Sequence, residues 1–458
     1  MDSNYDRYGD AGSLTQDAAQ EYVQSEAESG ATVSGAPYWE NRELTDEYTR
    51  AERVRPGVDL PFLVITLLIL MIGLIMVLSA SFARGYYTTG EPMNVFTRQF
   101  IFAVSGLAIM IVVSYFNLKA LSRWSYILLI FSIFLLVIVL FFGTKVNGSK
   151  RWLGFGGTGS SFSFQPSEIA KLALIMAYAK WICVKGPWKI RTFKTGVAPF
   201  IVITGIIFIL LVLEPHVSAS ITVLFLTVII MFAGGVRLRW FIPVVLVAAV
   251  VIGALVFIKV QGATPEGDAP GITEKLSQIP WGGGKLEYVG RRIDAWLNPE
   301  TDPMGDGFQA RQSLYAVGSG GMLGQGLGQS RQKYLYLPEE HNDYIFAIVC
   351  EELGYIGAML ILMLFVLLII RGFWLALHAK TRYGALVTIG IMSLLAIQVF
   401  LNVAVVTNLL PVTGVSLPFF STGGTALWIQ LFQMGIVLAV SREIPKDIAR
   451  RSRDGRGE

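Results

Sequence analysis

LPFLVITLLILMIGLIMVLS, residues 60–79, runs for twenty residues without a charged side chain. A helix rises 1.5 Å per residue, so about 20 apolar residues cross a hydrocarbon core roughly 30 Å thick. With the first span set at 60–81, similar runs recur at 97–115, 122–143, 167–184, 196–213, 217–234, 239–259, 343–370, 384–408 and 424–441. Composition agrees, since 53% of the 458 residues are hydrophobic and only 15% charged, too few to cover a soluble surface. The expected fold class is an all-α integral membrane protein, a bundle of ten transmembrane helices. Its narrowest boundary is Glu214-Pro215-His216, all that separates the fifth and sixth spans.

Lys and Arg in short connections are retained in the cytoplasm during insertion. They gather at Lys119 and Arg123, at Lys185, Lys189, Arg191 and Lys194, at Arg237 and Arg239, at Arg371, Lys380 and Arg382, and after the last span. The alternate connections, 82–96, 214–216 and 409–423, hold only Arg84. Both termini are therefore expected in the cytoplasm, with a large external loop, 260–342, between helices 7 and 8 and a second external stretch at 144–166. Residues 58–443 form the membrane domain, and residues 444–458 form a basic cytoplasmic tail. Residues 1–57 hold 12 Asp and Glu against 5 Arg within a chain of net charge +4, so an acidic tail precedes a basic body. Rich in Ser, Glu, Ala and Gly and lacking an apolar period, that tail is expected to be disordered. No cleavable signal is expected ahead of the first span, which serves as its own targeting signal.

Cys183 and Cys350 sit in or beside apolar runs without ligand spacing, so neither a disulfide framework nor a structural zinc is expected. His216, His341 and His378 are the only histidines, and His378 falls on the cytoplasmic side. No protein metal site is assigned, although Glu300, Asp302 and Asp306 leave a divalent ion, magnesium or manganese, open.

Five stretches carry chemistry. Asn147-Gly148-Ser149-Lys150-Arg151-Trp152 sets two cations beside an aromatic, a pattern that suits a phosphate or a lipid headgroup and is also common at membrane interfaces. Gln165-Pro166-Ser167-Glu168-Ile169-Ala170-Lys171 opens the fourth span, with Glu168 and Lys171 three apart on one helical face and able to pair. The long loop holds Asn298-Pro299-Glu300-Thr301-Asp302-Pro303-Met304-Gly305-Asp306, then Gln312-Ser313 and a glycine-rich run to Gly326. Its glycines allow close backbone approach to a ligand, while Asp-Pro and Gly-Gly are equally ordinary turn chemistry. Leu337-Pro338-Glu339-Glu340-His341-Asn342-Asp343 re-enters the membrane ahead of Glu351 and Glu352, which at that depth should face protein rather than lipid. Finally, Asn408 to Thr425 is irregular and rich in Pro and Gly. Such backbone is tolerated near membrane depth only when buried in protein or lining a cavity. Gln398, Asn402, Gln430 and Gln433 are read as hydrogen-bonding groups between helices.

Together these segments resemble the SEDS family of bacterial cell-wall polymerases, which includes FtsW, RodA and SpoVE. The matching pieces are NGSKRWL at 147–153, FQPSEIAKL at 164–172, NPETDPMGDGFQARQSLYAVGSGGMLGQGLG at 298–328, LPEEHNDYIFAIVCEELG at 337–354 and LPVTGVSLPFFSTGG at 410–424. TRQF at 97–100 and the polar N-terminal tail are more similar to the FtsW and SpoVE branch. Departures include Glu214-Pro215-His216, where many members have Gln-Pro-Asp.

The resemblance implies a peptidoglycan glycosyltransferase of the bacterial cell membrane, using lipid II at its outer face, with septal synthesis in cell division as its role. It makes Asp302 the catalytic candidate, taking the proton from the acceptor's 4-hydroxyl while the donor carbon is attacked with inversion. Lys150, Arg151, Trp152, Glu168, Lys171, Gln312, Ser313, His341, Asp343 and Ser421 are the substrate-binding candidates. Lys150 and Arg151 face the diphosphate, with Arg291, Arg292 and Lys333 as further cations. A class B penicillin-binding transpeptidase and other division proteins are the implied partners, and no nucleic acid is expected. Lipid II transport, or a scaffold that recruits a transpeptidase, are the competing classes.

Overall fold

The computed structural model describes residues 57–146, 149–154, 163–214, 216–241, 290, 292, 293, 295, 296, 305–338 and 340–444. The first helix, α1 (Leu60–Thr89), starts where the Asp59 side chain accepts a hydrogen bond from the Phe62 N–H at 3.0 Å, and stops at Gly90 in the left-handed conformation. The next two are α2 (Asn94–Ser114) and α3 (Leu118–Phe142), the latter capped by Asn117. A small antiparallel unit follows, which the all-α reading did not contain. Its strands are β1 (Thr144–Val146), β2 (Ser149–Gly154) and β3 (Ser163–Phe164), in the order β1-β2-β3.

Beyond it the chain forms α4 (Pro166–Ile190), a short α5 (Phe193–Gly196), α6 (Ala198–Leu213), α7 (Val217–Ala233) and a 3-10 turn at Leu238–Trp240. After the long loop come α8 (Asp306–Ser319), α9 (Ile345–Leu377), α10 (Arg382–Val406) and α11 (Gly424–Arg442). The boundary at 214–216 falls as expected, with α6 ending at Leu213 and α7 starting at Val217.

Seven segments among the described residues are long and apolar enough to cross a membrane: α1, α2, α3, α5 with α6, α9, α10 and α11. The chain is a multi-pass membrane helix bundle. Two of the ten predicted spans fall outside that set for physical reasons. Helix α7 has only 17 residues, while α4 carries Glu168, Lys171, Lys180 and Lys185. Such charges are costly in lipid, yet Pro166–Lys171 and Leu172–Ala179 of α4 are almost continuously buried within protein. Of the predicted span 239–259, residues 242–259 lie outside the described residues, as do most of the loop before residue 305 and the two tails.

Burial sorts the bundle into a centre and a rim. Helices α10 and α11 are largely enclosed, whereas α1, α2, α3, α6 and α9 turn residues such as Met71, Ile101, Ile130, Ile201 and Leu360 outward. In water so much exposed apolar surface would drive association, and in a bilayer it meets lipid. Helix α10 packs against α4, α7 and α9, α11 against α2, and α3 against α4. At one end Arg371 donates to Asp59 at 2.5 and 3.1 Å, and the Asp59 N–H donates to Ser441 Oγ, tying α1, α9 and α11 together. The opposite end bears the three strands and is called the β end below.

Candidate functional site at the β end

Two helix N-termini meet at the β end. The N-cap of α4 is Gln165 and that of α7 is His216, and neither helix has a side-chain capping bond. Gln165 Nε2 lies 3.4 Å from His216 Nε2. With the amide nitrogen as donor to this contact, the imidazole Nε2 accepts and the ring proton goes to Nδ1. Burial, then the nearby Arg151, Lys171 and Arg292 charges, hold His216 well below its usual range, so the ring is neutral. Two residues earlier, burial pushes the Glu214 carboxyl up to about 8 against the opposing pull of Arg151. Ser167 Oγ, Glu214 Oε1, His216 Nδ1 and Ser218 Oγ are all buried without a hydrogen-bond partner. Each such group costs ~1–3 kcal/mol, so four in one turn region is unusual for a purely structural element.

One turn into α4, Lys171 donates to Glu168 at 2.7 Å with both side chains nearly inaccessible. The anticipated pairing is therefore formed, and it gives each buried side chain an oppositely charged partner.

The irregular 408–424 segment closes the site from the other side. Arg292 Nη1 donates to the Val412 carbonyl at 2.8 Å and Trp296 Nε1 to the Asn408 carbonyl at 3.0 Å, which docks Arg292 and Trp296 on it. Gly414, at φ +73°, leaves open a point where three groups converge. A Cβ there would stand 3.3 Å from Asp343 Oδ2 and 4.0 Å from an Nη1 of both Arg151 and Arg292. Asn402 donates to the carbonyls of Asp343 and Val415, at 2.8 and 2.7 Å. Ser421 Oγ donates to the Asn342 carbonyl at 2.8 Å, and the Leu417 N–H donates to Ser421 Oγ at 2.8 Å. Further along, Phe419 and Phe420 are buried, the Phe419 carbonyl abuts Gly73 in mid-helix of α1, and Gln430 accepts from the Phe419 N–H. Asn402 and Gln430 thus hold a re-entrant loop rather than joining two helices.

The predicted site residues divide into groups. Arg151, Glu168, Lys171 and Asp343 come together at the β end. Trp152 is half-buried on β2, paired across the strands with Thr144. Lys150 lies on β2 opposite Lys145. The carbonyl of His341 accepts from Thr422, and its ring Nδ1 is 3.5 Å from buried Glu340, which also meets Arg84 at 3.4 Å. Gln312 is half-buried on α8. Ser313 is fully buried and donates to the Val406 carbonyl at 2.8 Å, fixing α8 to the end of α10. Asp302 lies outside the described residues, as do Arg291 and Glu300. No group of three His, Cys, Asp or Glu able to hold a metal occurs among the described residues.

Two expectations are corrected. Lys333 is buried and donates to Glu352 at 3.0 Å and Ser79 Oγ at 3.3 Å, so it is committed within the protein and not presented to a diphosphate. The glycine-rich run approaches backbone rather than ligand. Helix α9 breaks at Gly354, φ +69°, and residues 321–326 bond into the break. Gln325 and Gly326 N–H donate to the Glu351 and Glu352 carbonyls, and Tyr355 and Ile356 N–H to those of Gly321 and Met322, at 2.9 to 3.1 Å. Gly320, Gly324 and Gly354 leave no room there for a Cβ.

Residues 60–446 match the FtsW, RodA and SpoVE family, described as cell cycle proteins. The chain belongs to that family. Its relatives include stage V sporulation protein E of Bacillus subtilis (strain 168), 40% identical over 386 residues, covering 84% of this chain and 97% of the relative. Another is a probable peptidoglycan glycosyltransferase FtsW of Trichlorobacter lovleyi, 37% identical over 385 residues, 84% and 93% of the two chains. A solved chain from work on structural coordination of polymerization and crosslinking by a peptidoglycan synthase complex aligns with TM-score 0.64 at 25% identity, over 84% of this chain and 98% of that one. RodA of Thermus thermophilus shares the fold, with TM-score 0.57 at 24% identity over 84% and 97%.

In this FtsW, RodA and SpoVE member the sequence pattern marks 214–216 as a span boundary and a family departure and points to no role for Gln165 or Ser218. The available signal was the parallel between Gln165-Pro166-Ser167 and Glu214-Pro215-His216-Val217-Ser218, two proline-marked helix starts lined with polar groups.

Proposed function

We propose that this chain polymerises lipid II into glycan strands at the outer face of the cytoplasmic membrane, as a SEDS peptidoglycan glycosyltransferase of the division type. Ten spans then place both termini in the cytoplasm and the β end outward. The single observation that carries the reading is the family match across 60–446, within which buried Lys171 and the half-buried cations Arg151 and Arg292 gather at one end of the bundle. A polyprenyl diphosphate sugar is already activated, so the protein must supply a base, cations for the departing diphosphate and a held geometry.

In this mechanism Asp302 removes the proton from the 4-hydroxyl of the acceptor's N-acetylglucosamine. The oxygen attacks the donor's anomeric carbon from the face opposite the diphosphate, which leaves with inversion. Arg151 and Arg292 neutralise the charge developing on the leaving group, while the Glu168–Lys171 pair keeps the wall of the site ordered. Asp343 orients the two guanidiniums. A membrane-anchored class B penicillin-binding transpeptidase works beside it, since new strands need crosslinking where they emerge.

The test is incubation of the purified protein with lipid II, with and without such a transpeptidase, and separation of the products by size. Long glycan is expected from the native chain. Asp302→Asn should slow its formation by about 10² to 10⁴-fold, the usual worth of a general base. A folded Asp302→Asn protein that polymerises normally removes Asp302 from the mechanism.

A further inference from the structure

The junction of α4 and α7 combines features that point to one kind of ligand. Both helices are long enough for their N-termini to carry appreciable positive character, and they converge within the 3.4 Å contact of Gln165 with His216. Unpartnered groups line the same turns: Ser167 Oγ on α4, Glu214 Oε1 and His216 Nδ1 before α7, and Ser218 Oγ on α7, in residues at most 5% exposed. Charge around them is predominantly positive, from Arg151 on β2, Arg292 beside the 408–424 segment and Lys171 on α4. Glu168 offsets Lys171, and Asp343 faces the two arginines at Gly414. A cation would meet two positive helix ends and two guanidiniums here, whereas a neutral sugar would leave that field unused.

We propose that the α4–α7 junction is a phosphate-binding site, in which the unpartnered His216 Nδ1 and Glu214 Oε1 receive a phosphate oxygen while Arg151 and Arg292 balance its charge. The proposal rests on the polymerase reading above and names the part of the lipid-linked substrate this junction receives, its diphosphate. A neutral imidazole and a neutral carboxyl are suited to this role because both donate hydrogen bonds without adding a charge to be desolvated. Ionised Glu214 would instead claim Arg151 and repel the ligand. Since burial raises that carboxyl to about 8, it is protonated below that pH and phosphate binding weakens as pH rises through it.

The experiment uses the purified full chain in detergent micelles. Binding of farnesyl diphosphate, inorganic pyrophosphate and phosphatidylglycerol is measured by calorimetry, alongside the kinetics of lipid II polymerisation. Both diphosphates are expected to bind and to compete with lipid II. His216→Ala should weaken their binding by about tenfold or more, as expected for loss of a hydrogen bond to a charged group, and raise KM for lipid II in step with little change in kcat. His216→Asn, whose amide N–H takes the place of Nδ1–H, should recover most of that affinity, which a merely structural role would not require. Glu214→Gln should abolish the weakening of diphosphate binding above pH 8. Diphosphate binding that is unchanged in His216→Ala, or a site that takes phosphatidylglycerol but neither diphosphate, overturns the proposal. Failure of the polymerase reading looks different, because the native chain would then make no glycan while diphosphate binding and its dependence on His216 persisted.

Discussion

Two buried polar regions of this bundle are made from similar residues and are built in opposite ways. Around Glu351 and Glu352, each carboxylate is closed by the chain itself. Glu352 accepts from Ser79 at 2.7 Å and from Lys333 at 3.0 Å, and Glu351 accepts from Ser330 Oγ and from the Arg331 and Gln332 N–H groups. At the α4–α7 junction Glu214, His216, Ser167 and Ser218 retain polar atoms without partners, and cations crowd them. A satisfied network adds order and asks for nothing, whereas an unsatisfied one keeps a standing cost that a ligand can offset. Buried charge alone therefore does not mark a site, and the state of its hydrogen bonds separates scaffold from function.

The largest effect expected is at the pair that borders both behaviours. Reversing Glu168 to Lys, or Lys171 to Glu, sets two like charges three residues apart in a buried turn of helix, which should cost more than the ~3–5 kcal/mol of simply breaking a buried pair. Folded yield and lipid II turnover should both collapse in each single variant and return in part in the double reversal. No recovery in the double variant would mean that the two charges act separately, on the substrate rather than on each other. Next, Glu352→Ala strands Lys333 and should destabilise by ~3–5 kcal/mol, read as a fall in melting temperature in detergent. The KM for lipid II of the surviving folded protein should stay unchanged. A changed KM would erase the contrast between the two regions.

A smaller loss, upward of ~2 kcal/mol, is expected for Gly354→Ala. The backbone at φ +69°, ψ −174° is open essentially to glycine alone and costs another residue ~1–3 kcal/mol, and the added methyl meets the backbone of Leu323 and Gly324. Thermal melting measures it, with protease sensitivity near residue 324 as the local signature. The same position shows where sequence reading stops. Apolar runs such as 60–79 made the helices legible because length and hydropathy alone decide a span, and the Glu168 and Lys171 spacing made their pairing legible because i, i+3 neighbours are local. Residues 318–326 read either as a ligand cradle or as ordinary turns because a Gly-rich segment looks alike whether it embraces a phosphate or a broken helix, and its partner at 351–356 is fixed only by the tertiary fold. The strands at 144–164 escaped notice for a related reason, being too short for a periodic pattern. From sequence alone His216 marks only a span boundary and a departure from the family pattern. What makes it a candidate is the arrival of Arg151 and Arg292 from far along the chain.

The smallest effect sharpens the comparison most, because it concerns a residue that the motif assigns to substrate and the fold assigns to structure. Ser313 is wholly buried, and its hydroxyl donates to the Val406 carbonyl in the last turn of α10, one of the carbonyls with no partner further along the helix. Ser313→Ala removes the donor and leaves that carbonyl buried, so the expected loss is ~1–3 kcal/mol of stability. Since α8 begins four residues after Asp302, the base in the proposed mechanism, loosening its anchor should lower kcat modestly, with KM for lipid II nearly constant. Melting temperature and a split of kcat against KM test this together. A KM effect without a stability loss would return Ser313 to the substrate and show that a satisfied hydrogen bond at this end of the bundle is exchanged for one to the sugar during turnover.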